Sequence, residues 1–462
     1  MTSAQDTIVA QATARGRAAL AILRVSGADA LSVVSACFRG KNLHEVPSHT
    51  VHFGYITDAQ NQALDQVVVT VFRAPKSATG EDVVEISCHG GDFAPQLILQ
   101  RLLETGGRLA EPGEFTQRAF LNGKMDLAQA EAVADLIHAS SSQAHRVSLN
   151  HLQGHYSLQI QTVRSELMEL AALIELELDF AEEDVEFADR DRLMRLLRQT
   201  QTLLTSLVDS WRMGALLRDG IRVVIGGRPN AGKSTLLNAL LGRERAIVSP
   251  IAGTTRDEIE AEAEWGGLLF RFVDTAGLRE TEDLIEAEGV RRAEHSIHTA
   301  DVLLYVYDVS LGLDAEESAF LERLRERQPQ LPILLVANKT DLQPASASES
   351  SRQNVFPISA SQANPAESAL QELKNALLAT VGDRLSDAES SAIVTNQRHQ
   401  QHLRKARQAV LEAQSQLGAG TASGDRLALD LRVALHELGA ITGEITTEDI
   451  LGEIFSRFCI GK

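Results

Sequence analysis

The sequence predicts a multidomain α/β plus α protein. Its parts are a small α+β domain at residues 1–118, a helical domain in two pieces, 119–218 and 381–462, and an α/β domain at 219–380 inserted between them. Three observations predict this. The chain has 462 residues, more than one ordinary core accommodates. Strand-like runs alternate with helical segments between 219 and 380, the pattern of a mostly parallel sheet. On both sides of that region apolar residues recur at three- and four-residue steps, as one buried helix stripe requires.

In chain order, AALAILRVSG, QVVVTVFRA and DVVEISCHGG are rich in β-branched residues and end at turn formers, so they read as strands. A helix is expected at Pro95–Glu104. The helical region then shows Leu167, Leu170, Ile174 and Leu178 as one stripe. The inserted region supplies the strands RVVIGG, LFRFVD, DVLLYVYD, ILLVANK and VFPIS. PASASESSRQN, from Pro344, reads as a surface loop. The helical period returns with Leu403, Ala406, Val410 and Leu417, and again with Leu427, Leu431, Leu435 and Leu438. GAGTASGD is the loop between the last two stripes. Insertion is tolerated when the inserted domain's ends lie close together. No internal repeat is visible.

Composition excludes several classes. Hydrophobic residues make up 44%, ordinary for a globular protein, and no apolar run reaches the roughly 20 residues that cross a bilayer. MTSAQDTIVAQ lacks a basic region followed by an apolar core, so no secretory signal is expected. Three cysteines, Cys37, Cys88 and Cys459, cannot build a disulfide framework and fit a reducing cytoplasm. The net charge of -19 argues against a surface that attracts nucleic acid everywhere, while leaving room for a local basic patch. The densest acidic stretch, LELDFAEEDVEFADRD, reads as a solvated helix end and loop.

The chemistry concentrates in the inserted region. Gly227-Arg-Pro-Asn230-Ala231-Gly232-Lys233-Ser234-Thr235 carries a full GxxxxGK[ST] motif between an apolar strand and a helical run. Glycines let backbone N–H groups turn toward phosphates, and the helix N-terminus favours an anion. Lys233 is expected at the β- and γ-phosphates and Ser234 at Mg²⁺. Asp274-Thr275-Ala276-Gly277 ends LFRFVD; its carboxylate suits Mg²⁺ through water, and the Gly277 N–H suits a γ-phosphate sensor. Asn338-Lys339-Thr-Asp341 ends ILLVAN; a carboxylate accepts from guanine N1–H and its amino group, a pair adenine lacks, so GTP is selected over ATP. Ser359-Ala360 follows VFPI and sits where a backbone N–H reaches guanine O6. The segment Ser249-Pro250-Ile251-Ala252-Gly253-Thr254-Thr255 lies between the P-loop helix and the next strand. A threonine in it completes the Mg²⁺ shell, and spacing does not say which. These motifs, in order and at strand ends, are those of the translation-factor-like GTPase superfamily, with a Ras-like G domain over about a third of the chain. Leu278 stands where Ras-like proteins place the water-orienting glutamine, so water must be positioned otherwise. Asn230 offers an amide oxygen that suits a monovalent cation.

End to end, the chain resembles the MnmE (TrmE) family of tRNA modification GTPases. The resemblance rests on DTIVAQAT, ILRVSG, TGEDVVEISCHGG, EPGEFTQRAFLNGKMDLAQAEAVADLI, GRPNAGKSTLLNALLGRERAIVSPIAGTTRD, DTAGLRE and the terminal CIGK. It implies an N-terminal folate-binding domain that dimerises, a helical domain and an inserted G domain. It implies a cytoplasmic, non-membrane homodimer that works with the flavoprotein MnmG on tRNA. The reaction adds a carboxymethylaminomethyl or aminomethyl group to C5 of the wobble uridine, with a one-carbon unit from 5-formyl- or methylene-tetrahydrofolate. GTP hydrolysis is expected to be stimulated by K⁺. The family's K⁺ ligands fall on Asn230 and Thr254 through side chains and on Ser249 and Ile251 through carbonyls. Its Mg²⁺ ligands fall on Ser234 and Thr255. The water-positioning glutamate falls on Glu286 and the folate contacts on Arg24, Glu85, Lys124 and Lys462. Cys459 is assigned to the modification step; by itself a near-terminal cysteine reads as a small buried residue. One departure is Ala181 after Asp179-Phe180, where the family usually has proline, which touches local loop shape. The competing reading is a regulatory GTPase switch in ribosome assembly or translation, without modification chemistry of its own. An ATP-dependent enzyme conflicts with Asp341 and its motif.

Overall fold

A computed structural model describes residues 6–179, 190–242, 261–274, 296–342, 354–361, 366–385, 393–419 and 424–462. The chain divides into two compact units, residues 1–137, 149–200 and 408–462 in one, and 138–148 with 201–407 in the other.

The first unit opens with β1 (Ile8–Gln11), β2 (Leu20–Ser26), α1 (Ala30–Ser35), β3 (Phe38–Arg39), β4 (Thr50–Thr57), β5 (Ala63–Phe72), β6 (Val83–His89), α2 (Ala94–Glu104) and β7 (Arg108–Leu109). The seven strands form one sheet in the order β3-β4-β5-β6-β2-β1-β7. Alternation gives it two faces. Val9, Leu23, Val25, Val67, Val69 and Ile86 are fully or almost fully buried in a core shared with residues of α1 and α2. The opposite face carries Ala10, Arg24, Glu85, Val68 and Phe53, successive cross-strand partners or their neighbours. The expected strands and the expected helix at 95–104 are present. β4 is not among the expected strands, and its apolar Val51 and Phe53 point outward, 63% and 60% exposed.

Helices follow: α3 (Glu114–Leu121), α4 (Leu127–His138), α5 (Ser142–Leu152), α6 (His155–Asp179) and α7 (Arg190–Asp219). Leu167, Leu170 and Ile174 are buried as the stripe on α6 requires; the side chain of Leu178 lies outside the described set.

The second unit holds β8 (Ile221–Gly226), α8 (Lys233–Leu241), β9 (Ala261–Trp265), β10 (Leu268–Asp274), β11 (Val302–Asp308), α9 (Ala315–Arg327), β12 (Ile333–Asn338), β13 (Val355–Ile358) and α10 (Ala366–Leu385). The sheet order is β13-β12-β11-β8-β10-β9, parallel except for the β9–β10 hairpin. Phe270, Phe272, Val223, Leu304 and Val336 fill its core with Leu236 and Leu373 from flanking helices. This is a Ras-like α/β sheet, in which ligands bind beyond the carboxyl ends of the strands.

The chain ends with α11 (Gln397–Gly418), α12 (Gly424–Thr442) and α13 (Glu448–Ser456). Leu403, Ala406 and Val410 are buried as expected, whereas Leu417 is only half-buried. On α12 Leu427, Leu431 and Leu438 are buried, but Ala434 takes the inward place and Leu435 is half-buried. Phe455 and Phe458 pack with Leu127 and Ala130 of α4, which anchors the C-terminal tail within the first unit.

Candidate functional site

The P-loop leaves β8 at Gly226 and closes on the first turn of α8. Three residues take left-handed φ values, Gly227 at 137°, Asn230 at 61° and Gly232 at 95°. A side chain at Gly227 would strike the Val306 carbonyl of β11, and one at Gly232 would strike the Asn338 amide, so both positions need glycine for space as well as for backbone freedom. Asparagine is among the few other residues that tolerate that conformation. Lys233 is buried, and its ammonium donates to the carbonyls of Gly227 (3.0 Å) and Arg228 (2.8 Å). Ser234 and Thr235 are exposed on the first helical turn.

Asn338 ties three loops together. It is buried, its Nδ2 donates to the Ala231 carbonyl (2.9 Å), and its Oδ1 accepts from the Ala360 N–H (3.1 Å). The P-loop, the Asn338–Asp341 turn and the Ser359–Ala360 turn are thus held by one amide. Asp341 accepts at Oδ1 from the Ser359 hydroxyl (2.7 Å), which orients the carboxylate expected to read guanine. The Ala360 N–H, expected at guanine O6, here donates to Asn338. Lys339 sits at φ 68°, and its ammonium pairs with Asp308 at 2.7 Å. The hydrogen bond from Lys339, then that from Ser310, holds the Asp308 carboxyl below the usual range. Asp274 ends β10 in register with Ile225, the strand feeding the P-loop. The sequence reading missed Asp308, which ends a central strand as Asp274 does but belongs to no motif. It also missed Arg228, which pairs with Asp314 and, at 3.4 Å, with Glu317 at the capping box that starts α9. Ser249, Pro250, Ile251, Ala252, Gly253, Thr254, Thr255, Thr275, Ala276, Gly277, Leu278 and Glu286 lie outside the described residues.

A second cluster lies on the N-terminal sheet. Arg24 and Glu85 are cross-strand partners; Nε and a terminal nitrogen of Arg24 reach Glu85 Oε1 at 2.9 and 2.7 Å. The Arg24 guanidinium lies 5.7 Å from the centroid of Phe115, on α3. Beyond that cover, Leu20, Val51, Phe53 and Val68 leave the face exposed and apolar. Lys124 donates to the Pro75 carbonyl (3.0 Å). The C-terminal tail seats beside the same sheet. Ile460 bridges to Pro112, and the Cys459 carbonyl accepts from Gly113 and Lys462. Gly461, at φ 96°, lies so near the Gln11 carbonyl of β1 that a Cβ would collide. Ala10, the next residue on β1, pairs with Arg24. The fold therefore brings the tail of Cys459 and Lys462 to the strand beside Arg24 and Glu85. Cys459 is exposed, whereas Cys37 and Cys88 are buried, and burial pushes each of those thiols up to about 11. The sequence did not flag the adjoining polar network. Ser26 bonds Thr79 and Glu81 at 2.7 Å, Glu81 accepts from Arg118 (3.1 Å), and Glu114 accepts from Arg108 (2.6 Å). Among the described residues no cluster of three His, Cys, Asp or Glu side chains is suited to a metal ion, and no helix is long and apolar enough to cross a membrane.

Two family models match, the MnmE helical domain over residues 127–459 and the GTP-binding protein TrmE N-terminus over 7–124. Full-length relatives match as well. The tRNA modification GTPase MnmE of Salinibacter ruber is 59% identical over 461 residues, covering 100% of both chains. Its namesake in Christiangramia forsetii is 48% identical over 474 aligned positions, 99% of both chains. The one in Cytophaga hutchinsonii is 47% identical over 464, covering 100% of this chain and 99% of that one. With both family models matched and a full-length relative 59% identical over the whole chain, this protein belongs to the MnmE (TrmE) family of tRNA modification GTPases.

Proposed function

We infer that the protein binds and hydrolyses GTP in the course of modifying tRNA, its substrate. The observation that carries the GTPase part is Asn338, which holds the P-loop and both guanine turns in one arrangement. The finer reading is that hydrolysis is stimulated by K⁺ and serves, with the flavoprotein MnmG, to install a carboxymethylaminomethyl or aminomethyl group at C5 of the wobble uridine. The protein acts as a cytoplasmic homodimer whose domains divide at 118/119, 218/219 and 380/381.

In this reading the N–H groups of residues 230–235 receive the phosphates, and Lys233 exchanges its loop carbonyls for phosphate oxygens. Asp341, held by Ser359, accepts the guanine N–H pair. Ser234, exposed at the first turn of α8, fits a Mg²⁺ ligand, with Thr255 as its partner. Asn230, exposed in a left-handed conformation, fits a K⁺ ligand, with Thr254, Ser249 and Ile251 completing the set. Each ion would offset negative charge that develops on the phosphates. Glu286 positions the attacking water, since Leu278 cannot.

A reduced folate fits the N-terminal sheet. Arg24 occupies Glu85 Oε1 twice and leaves Oε2 for an N–H edge, while Lys124 and Lys462 suit an anionic tail. The folate, when bound, supplies the one-carbon unit. Cys459, exposed beside this sheet, acts in the modification step as a thiolate. The exposed apolar residues Leu20, Val51, Phe53 and Val68 support dimerisation through this domain.

The test is nucleoside analysis of tRNA from a strain lacking the gene. The C5 substituent on the wobble uridine is expected to disappear and to return with the wild-type gene. Cys459→Ser is expected to keep K⁺-stimulated GTP turnover and folate binding but not to restore modification. An unchanged nucleoside profile in the deletion strain overturns the reading.

A further inference from the structure

An acidic chain that handles tRNA has to gather its positive charge locally. Acidic residues outnumber basic ones 63 to 44, yet residues 393–411 contain no acid and carry Arg398, Arg404, Lys405 and Arg407. Part of this run, at the start of α11, faces the end of α7 across an open cleft of about 430 Å³ in the second unit. Trp211, Arg212, Gln400 and Arg404 line it, with Asp219 and Asp301.

The cleft is organised. Gln400 is buried, and with its amide oxygen turned inward it accepts from Trp211 Nε1 and from an Arg404 terminal nitrogen, both at 3.1 Å. One buried amide thereby fixes an indole and a guanidinium. Arg212 and Arg404 are exposed, and neither has an ion-pair partner among the described residues. The two acids are engaged. Asp219 is clamped by both forks of Arg218 at 2.8 and 2.9 Å, and Asp301 accepts from the Arg222 N–H at 2.9 Å. Counting Arg218, whose guanidinium also lies 5.7 Å from the centroid of the Trp211 ring, three guanidinium charges face two carboxylates here. Gly220 precedes β8 and Asp301 precedes β11, so the cleft lies at the opposite strand ends from the nucleotide loops and GTP does not account for it.

We propose that this cleft docks the tRNA backbone, with Arg212 and Arg404 on phosphates and the Trp211 indole against an adjoining base or sugar. Guanidinium forks match phosphate geometry, and aromatic planes accept any base. The proposal rests on the reading of the protein as a tRNA modification enzyme.

The test uses full-length protein and unmodified tRNA. Arg212→Ala/Arg404→Ala is expected to weaken tRNA binding tenfold or more at roughly 0.1 M salt. It should also flatten the slope of log affinity against log salt by about two, near one per lost phosphate contact. GTP affinity and intrinsic GTP turnover stay within twofold. Arg212→Lys/Arg404→Lys keeps the charges and is expected to recover the salt slope. Wild-type affinity and slope in the alanine variant overturn the docking site. If that variant is unimpaired while the wild type modifies tRNA, only the docking site fails; an unaltered tRNA profile in the deletion strain instead removes the functional reading.

Discussion

In the proposed nucleotide site the binding groups come from loops at strand ends and are largely backbone. Gly227, Gly232 and Lys233 come from one nine-residue stretch, and Asn338 fastens two further turns to it. In the folate site proposed on the N-terminal sheet the groups are side chains in mid-strand, Arg24 and Glu85, joined by Lys124 and by a tail more than 300 residues further along the chain. Phosphates are met by peptide N–H groups, which any sequence of the right conformation supplies, so short motifs suffice. The heterocycle proposed for the open sheet would instead need individually placed side chains, and the candidates come from distant segments.

The sharpest way to break this contrast is Asp341→Asn. In the proposed contact with guanine the carboxylate makes two charge-assisted hydrogen bonds, so GTP affinity is expected to fall about 10³-fold, while xanthosine triphosphate, with its exchanged donor and acceptor, gains. Equilibrium binding of both nucleotides checks it; folate binding stays unchanged. Glu286→Ala is expected to lower GTP kcat about a hundredfold with little change in GTP affinity, as a lost water-positioning group does. Single-turnover hydrolysis checks that separation.

At the other site, Gly461→Val is expected to lift the tail from β1, because any side chain there meets the Gln11 carbonyl and φ 96° disfavours it. Wobble-uridine modification falls about tenfold in complementation, and GTP turnover is unaffected. Coupled loss of both activities would show that the sites are not independent.

Glu114→Gln probes the polar network behind Phe115. Burial pushes the Glu114 carboxyl up, but bonds from Arg108 and the Glu111 N–H, with the charges of Arg108 and Arg118, outweigh it and hold the group below the usual range. A depressed carboxyl stabilises the fold above its unfolded value, near 4.5, and that contribution is lost as pH falls through the lower folded value. Glu114→Gln is therefore expected to cost about 2 kcal/mol at neutral pH, with the gap to wild type closing only in acid. Denaturant titration at pH 7 and pH 4 measures it. The smallest effect is on thiols. With Cys37 and Cys88 buried and held near 11, iodoacetamide at pH 8 is expected to label Cys459 alone and to leave GTP turnover within twofold. Mass spectrometry of the peptides decides it.

The nucleotide motifs were legible because their information is contiguous. GxxxxGK[ST] and the Asn338 motif each lie within a few residues of a strand end, and strand order brings them together. Asp308 escaped because a strand-terminal aspartate carries no pattern until Lys339 is placed beside it. β4 escaped although Val51, Phe53 and Tyr55 alternate, and alternation does not say which face turns inward: here Val51 and Phe53 point away from the core. Leu435 yielded its inward place to Ala434, a shift of one position that a helical period cannot resolve where a small residue fits more closely.

What the sequence determined by itself is the order of the elements, the class of each region and the nucleotide preference. The first two follow from local periodicity and from backbone conformations that only certain residues adopt; the nucleotide preference follows from the Asn338–Asp341 motif. Tertiary structure alone decided that Asn338 bonds the P-loop to Ala360, that Gly461 lies on β1 beside the Arg24–Glu85 pair, and that Gln400 holds Trp211 and Arg404 in one cleft. Each of these joins residues far apart in the chain. Such contacts depend on how sheets and helices pack in three dimensions, which no spacing within a single segment encodes.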